Sequence, residues 1–370
     1  FEETVKLGYR RGGPVRIVVA KAKYKVVGAE GATSFASVPE VPEVLRRCMA
    51  DASLLAHILY AKFRTGLPLF RQEAAFATCG VPIDRGTMSR WAEDVGANLG
   101  FIVEAARVEA LAKSFFDYQP KHTSAAVCSM FRGFQGYVQA DAHSVYDALF
   151  RGDGERDPPT EVGCWSHARR RFYEAAVAKH REGLEGVMRI GMLFELERGW
   201  AHLPPARRTV ARAAKAKPLV EAFFAWAESE YARVREERGC LAAAFGYVVR
   251  QRDALSRFVE DGRLKLENNA AERALRTVAV GRKNWLFCGS DDHAQSAANI
   301  LSLLASCKLH GLDGEAYLRD VLRVFAHWPR DRYLELAPKY WLATRGRLDA
   351  TELARPLGPL TVPPPLPAEQ

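Results

Sequence analysis

Gly136-Tyr137-Val138-Gln139-Ala140-Asp141-Ala142 is the stretch on which the reading of this chain turns. Side chains alternate along a strand, so Tyr137, Gln139 and Asp141 share one face while Val138, Ala140 and Ala142 share the other. A strand of this kind carries the Asp141 carboxylate at the end of an apolar element, a costly place for a charge without a cation or hydrogen bonds. The competing reading is a cap, with Asp141 starting a helix over Ala142 to Phe150. On one side lies a helical segment, Thr123 to Phe131. On the other a polar loop, Gly152 to Thr160, leads to a short strand, Glu161 to Trp165, and to a helix capped by Ser166. Strands alternating with helices make this region α/β.

Toward the N-terminus, Val15-Arg16-Ile17-Val18-Val19 and Tyr24-Lys25-Val26-Val27 are β-branched runs, cut by Gly12-Gly13-Pro14 and Gly28. They predict a small β-rich segment. From Val44 the period becomes helical: Leu54, Leu55, Ile58, Leu59 and Phe63 are spaced for one helix face, and Gly66-Leu67-Pro68 stops the run. A second helix, Leu69 to Cys79, ends at Gly80. Asp84 then caps a third, from Arg85 to about Ala112, with Met88, Trp91, Val95 and Leu99 as its stripe. Helix, Gly-containing turn and helix fit a helix-turn-helix, in which Arg85, Thr87, Ser89 and Arg90 open the recognition helix. On this segment alone an αα-hairpin packed on its neighbours is the commoner arrangement, because short consecutive helices are common and sequence does not fix their angle.

Toward the C-terminus, residues 173–265 read as helical and charged. Within them Ala206 to Lys217 holds Arg207, Arg208, Arg212, Lys215 and Lys217 and no acid. Such a run is either a solvated helix face or a nucleic-acid contact. A second carboxylate, Glu272, lies in Asn268-Asn269-Ala270-Ala271-Glu272-Arg273-Ala274-Leu275-Arg276. With Asn269 as N-cap it would be the N3 residue of a capping box and would pair with Arg276, which is its structural reading. The chain closes on Pro356, Pro359, Pro363-Pro364-Pro365 and Pro367, composition that predicts an extended or disordered tail.

Composition narrows the classes. The chain has 370 residues, 53 Lys plus Arg against 44 Asp plus Glu, and a formal charge of +9. A pI near 9.2 allows a polyanionic partner without requiring one. Hydrophobic residues make up 48 % of the chain, enough for a core and too many for global disorder. No apolar run reaches the length of a membrane span, so no membrane partner is expected. Seven cysteines without a C-x-x-C pair speak against a disulfide scaffold or a Cys-rich zinc site, and fit a reducing cytoplasm. The opening Phe1-Glu2-Glu3, with neither Met nor an apolar signal core, reads as a fragment's start.

Four motifs in order carry more than any of these features. They are 136–142, then Gly163-Cys164-Trp165-Ser166-His167-Ala168-Arg169-Arg170-Arg171-Phe172, then Glu267 to Arg276, then Gly281-Arg282-Lys283-Asn284-Trp285-Leu286-Phe287-Cys288-Gly289-Ser290. Together they strongly resemble the insertion sequence 66 family of bacterial transposases. The likeness runs on through His310-Gly311-Leu312-Asp313 and takes in the segments around Pro68 to Arg71 and Arg85 to Trp91.

The resemblance implies a ribonuclease H-like core of the Asp-Asp-Glu type, in which carboxylates hold two Mg²⁺ (or Mn²⁺) ions for in-line phosphoryl transfer on DNA. It makes Asp141 the second aspartate and Glu272 the helix-borne glutamate, both catalytic and both metal ligands. It gives Arg273, Arg276, Arg282 and Lys283 to DNA phosphates, alongside Arg85, Thr87 and Arg90, and lets Trp285 stack on a base. The partners implied are double-stranded DNA, at element ends and target, and further copies of the chain in a homo-oligomer on DNA within the cytoplasmic nucleoid.

The fold expected is α/β plus α: a truncated ribonuclease H-like core interrupted by a helical insertion. Its parts are a β-rich segment (1–45), a helix-turn-helix-like region (46–112), the first part of the core (113–172), the insertion (173–265), the second part of the core (266–328) and a Pro-rich tail (329–370). Two departures from the family stand out. The stretch that should carry the first catalytic aspartate is missing where Ala112-Lys113-Ser114-Phe115 runs straight into Phe116-Asp117-Tyr118, and Asp117 is a poor substitute. Tyr24 is followed by Val26 and Ala29 where relatives carry a C-x-x-C pair, so no zinc is expected. The functions in view are an impaired transposase, a DNA-binding remnant that occupies element ends or inhibits intact transposase, and an active enzyme with a replacement acid.

Overall fold

The alternation at 136–142 does form a strand, but a short one. In the computed structural model, which describes residues 2–10, 12–27, 33–37, 40–109, 115–152, 154, 157–285 and 288–367, the chain falls into two units. One comprises Phe1–Tyr118 with Ala274–Gln370, the other Gln119–Arg273. Gly28, Ala29, the junction at 112–114, residues 286–287 and the Trp285 side chain lie outside the described residues.

The first unit begins with two antiparallel hairpins, β1 (Glu2–Arg10) with β2 (Gly13–Lys21) and β3 (Lys23–Val27) with β4 (Thr33–Ser37). Leu7 ties β1 to the helical part by backbone bonds to Met49 and Asp51 at 2.7 and 2.8 Å. Asp51 caps α1 (Ala52–Phe63), whose Leu54, Leu55, Ile58, Leu59 and Phe63 are buried. Then come α2 (Leu69–Thr78) and α3 (Arg85–Glu109). Asp84 does cap α3, accepting from the N–H groups of Gly86 and Thr87 at 2.8 and 3.2 Å. Met88, Val95 and Leu99 are wholly buried along its stripe.

The second unit opens with α4 (Ser124–Met130) and β5 (Tyr137–Gln139), followed by α5 (Asp147–Arg151) and β6 (Thr160–Val162). Strands β5 and β6 pair in parallel, Tyr137 opposite Thr160 and Gln139 opposite Val162. Among the described residues this unit's sheet has these two strands alone. Helices α6 (Trp165–Val177), α7 (Arg181–Gly199), α8 (Pro205–Ala211), α9 (Lys217–Val234), α10 (Cys240–Arg250) and α11 (Arg252–Ser256) build the rest. Their core is aromatic: Trp165 and Phe172 pack edge-on against Phe223 at 5.2 and 6.0 Å. Gly183 and Gly186 let α7 close on α6, since a Cβ there would stand 2.4 Å from the Ala176 nitrogen and 2.3 Å from Phe172.

The basic run at 206–217 is not a free charged face. Arg212 is fully buried, held by Glu197 through two bonds of 2.7 Å and donating to the carbonyls of Phe258, Asp261 and Leu264. Arg208 donates to four further carbonyls, of Trp200, Ala201, Leu203 and Gly262. Burial of a guanidinium is tolerated here because all five of its N–H donors are matched. Arg207, Lys215 and Lys217 remain exposed.

Helix α12 (Asn269–Trp285) passes from the second unit into the first, which then adds α13 (Asp291–Leu309), α14 (Gly314–Val324), α15 (Pro338–Arg345) and α16 (Ala350–Ala354). Helix α13 lies tight on α3. A Cβ on Gly96 would stand 2.6 Å from Ser296, whose hydroxyl donates to the Glu93 carbonyl at 2.9 Å. Residues from 329 onward, expected as a tail, therefore hold helices. The extended stretch after them is tied down by Arg323, donating to the carbonyls of Arg355 and Gly358, and by Arg332, donating to that of Pro363. No helix of the described residues is long and apolar enough to cross a membrane.

Candidate functional site

The sequence-marked carboxylate at the end of β5 is exposed, while Val138 and Ala140 before it are buried, as the alternation requires. Asp141 does not open a helix at Ala142. That residue has φ +57, and the next helical turn, Ser144–Tyr146, is capped by His143. Asp141 accepts from the His143 N–H at 3.3 Å. Its carboxylate thus stays at the surface, where water solvates it.

Ser166 is not the cap of α6 either; Cys164 occupies that position and is buried. Freed from capping, the Ser166 hydroxyl donates to Glu267 at 2.8 Å, and Glu267 also accepts from Asn269. Gln139 on β5 donates to the carbonyls of Gly163 and Lys265 at 3.0 and 2.9 Å, joining the strand to the segment that leads into α12. Asn269 is the first residue of α12 and not its N-cap, and Glu272 lies in the first turn, where a carboxylate suits the helix dipole.

From that turn Glu272 reaches His167 on α6: Oε1 stands 3.6 Å from Nε2, both side chains partly exposed. The Cys164 sulfur beside it raises the His167 pKa most, burial opposes, and Glu272 and Asp141 add to the rise. Conversely, burial pushes the Cys164 thiol up, but the hydrogen bonds from His167 and Asn268 outweigh it and hold it below the usual thiol value. Behind them Tyr247 is pushed up to about 12 by burial and by Cys164, against the pull of Arg171 stacked 4.5 Å from its ring. The structure therefore places an imidazole within the electrostatic reach of both sequence-marked carboxylates. Residue type alone assigns Cys164 and His167 no role; the signal that finds them is their three-residue spacing at the start of a helix, which sets one at the cap and the other in the first turn.

The donor set does not fit a resident Mg²⁺. Among the described residues no three His, Cys, Asp or Glu side chains are grouped to hold a metal, and Mg²⁺ requires near-octahedral oxygen coordination. Asp117 is engaged elsewhere, its carboxylate 2.8 Å from Arg107.

The basic candidates lie on two helices. Arg85 and Arg90 are exposed at the start of α3, Arg90 donating to the Thr87 hydroxyl at 3.0 Å. Arg273, Arg276, Arg282 and Lys283 are exposed along α12.

Comparison with known proteins yields two family matches. Residues 47–115 and 112–296 match the family described as "Transposase IS66 family", in two pieces that abut at 112–115. Residues 302–339 match the "IS66 C-terminal element". Three curated relatives come from Sinorhizobium fredii (strain NBRC 101917 / NGR234). "Uncharacterized protein y4qI" is 27% identical over 87% of this chain and 68% of its own length. "Uncharacterized protein y4hP" is 36% identical over 56% of this chain and 40% of its own. "Uncharacterized protein y4jD" is 28% identical over 74% of this chain and 62% of its own. In the latter two cases the chain spans less than two thirds of the relative. No solved structure matches.

Proposed function

The chain belongs to the IS66 family of transposases, and from that premise we propose that it is a DNA-handling transposase of the Asp-Asp-Glu type whose strand-cleavage centre is incomplete. The observation that carries this reading is the family match in two abutting pieces, which meet where the first catalytic aspartate and its strand would be expected. The two-stranded sheet of the second unit supports it, as does the lack of any cluster of three His, Cys, Asp or Glu side chains able to hold a metal among the described residues. A Mg²⁺ or Mn²⁺ requirement comes with the family, and these two carboxylates do not meet it by themselves.

In this reading Asp141 and Glu272 are the retained pair of catalytic carboxylates, and His167, 3.6 Å from Glu272, is the imidazole whose proton affinity Cys164 first and then both carboxylates raise. Helices α2 and α3 act as a helix-turn-helix, presenting Arg85, Thr87 and Arg90 to element-end DNA, while Arg273, Arg276, Arg282 and Lys283 line its phosphates. The second reading is a DNA-binding remnant that occupies element ends and inhibits intact transposase. It is favoured by the exposure of these basic side chains on both helices, which needs no catalytic centre.

Binding of linear DNA bearing the ends of the insertion sequence, titrated against salt, tests the DNA-handling half. Tight binding with a steep salt dependence is expected. Binding no tighter than to unrelated DNA would defeat both readings.

A further inference from the structure

We propose that α7 pairs with the α7 of a second copy of this chain, antiparallel and about a two-fold axis at Met188. Helix α7 is apolar on two opposite sides. Gly183, Gly186, Ile190 and Leu193 are buried against its own unit. On the far side Leu184, Met188 and Met192 are 55, 64 and 51 % exposed, one turn apart from each other. An ordinary surface helix keeps that side polar. On α6, Tyr173 and Val177 are 60 and 66 % exposed, and the contacts of Gly183 with Ala176 and Gly186 with Phe172 put them at the same levels of the hairpin as Leu184 and Met188. Apolar exposure concentrated in this way on one helical hairpin marks an interaction surface.

The order of residues along the stripe says what covers it. Arg181, Leu184, Met188, Met192 and Glu195 succeed one another at spacings of three, four, four and three, a pattern symmetric about Met188 except in charge. A second α7 laid antiparallel sets Met188 on Met188 once, on the axis, and Leu184 on Met192 and Arg181 on Glu195 twice each, as an isologous interface requires. Arg181 and Glu195 are both exposed; Glu195 already holds Arg198 at 2.8 Å on its own helix, and in the pair its carboxylate would be shared with the Arg181 of the second copy. A parallel pairing would instead set Arg181 on Arg181 and Glu195 on Glu195. The flank of the stripe is already neutralised by Glu185 and Arg189, 2.7 Å apart, so no net charge repels a second copy. DNA is a poor occupant, because the stripe is mainly apolar and its one cation, Arg181, is balanced by Glu195.

This pairing goes beyond the transposase reading and requires neither DNA nor cleavage. Sedimentation velocity of the full chain across a wide concentration series tests it, with circular dichroism confirming that each variant keeps its helix content. The chain is expected to dimerise, and Met188→Glu to weaken the dimer by at least about tenfold, since it sets two carboxylates on the axis. Arg181→Glu and Glu195→Arg should each weaken it, and the double swap should return it to within about threefold of the parent. A chain that stays monomeric throughout, a Met188→Glu dimer unchanged in affinity, or a double swap no better than the single ones would overturn the proposal.

Discussion

His167 Nε2 stands 3.6 Å from Glu272 Oε1, joining α6 to the first turn of α12 across 105 positions of sequence. The imidazole is raised above its ordinary value by Cys164 first, with Glu272 and Asp141 adding to the effect. A group whose folded pKa is raised stabilises the protein below its unfolded value, and that contribution is lost as pH rises through the folded value. Glu272→Gln is therefore expected to lower the His167 titration midpoint, read from its ring protons by NMR, and Asp141→Asn to lower it less. A midpoint unmoved by Glu272→Gln would show that the pair carries no interaction in solution.

Arg212 is the most demanding buried charge of the second unit. Arg212→Ala leaves Glu197 and three carbonyls without their donor and should cost about 3–5 kcal/mol in chemical denaturation. Arg212→Lys should recover only a minor part, because an ammonium cannot reach both Glu197 oxygens and the carbonyls of Phe258, Asp261 and Leu264 together. Loss of less than about 1 kcal/mol in the alanine variant would contradict the buried placement.

Gly186→Ala places a methyl group where the Phe172 ring already stands, 2.3 Å away. Destabilisation of about 1–3 kcal/mol is expected. Gly191→Ala on the same helix meets nothing within 4 Å and should be neutral or slightly stabilising, since alanine is the better helix former. Thermal melts of the two variants should therefore move in opposite directions, or at least differ clearly in size.

Helical periodicity and the Asp84 cap were legible in sequence; the caps read at Ser166 and Asn269, and long-range company, were not. Asp84 and the Met88–Val95–Leu99 stripe could be read because a cap and a helix face involve neighbours within a few positions. The strand faces at 137–140 were legible for the same reason. Arg212 was read within a basic run because its acid lies 15 positions earlier and its carbonyls 46 to 52 positions later. The Cys164, His167 and Glu272 cluster escaped likewise: two of its members sit on one helix turn, but the third arrives from another helix. Asn269 fits an N-cap by residue type, but α12 already begins at it, and an offset of one position is not legible in composition.

If α3 and α12 both meet DNA, the salt dependence of binding should report each phosphate contact separately. Arg90→Ala and Lys283→Ala are each expected to reduce the slope of log affinity against log salt by about 1, uniformly across sequences. A variant whose slope equals that of the parent assigns its residue to no phosphate.

The central claim, a family transposase that handles DNA but has lost strand cleavage, is tested most directly by a nicking assay on element-end DNA in Mg²⁺, with binding measured in the same samples. The account expects binding without nicking, and no further loss when Glu272→Gln is compared with the parent chain. Nicking by the parent that disappears in Glu272→Gln would contradict it, and would mean that the centre is complete.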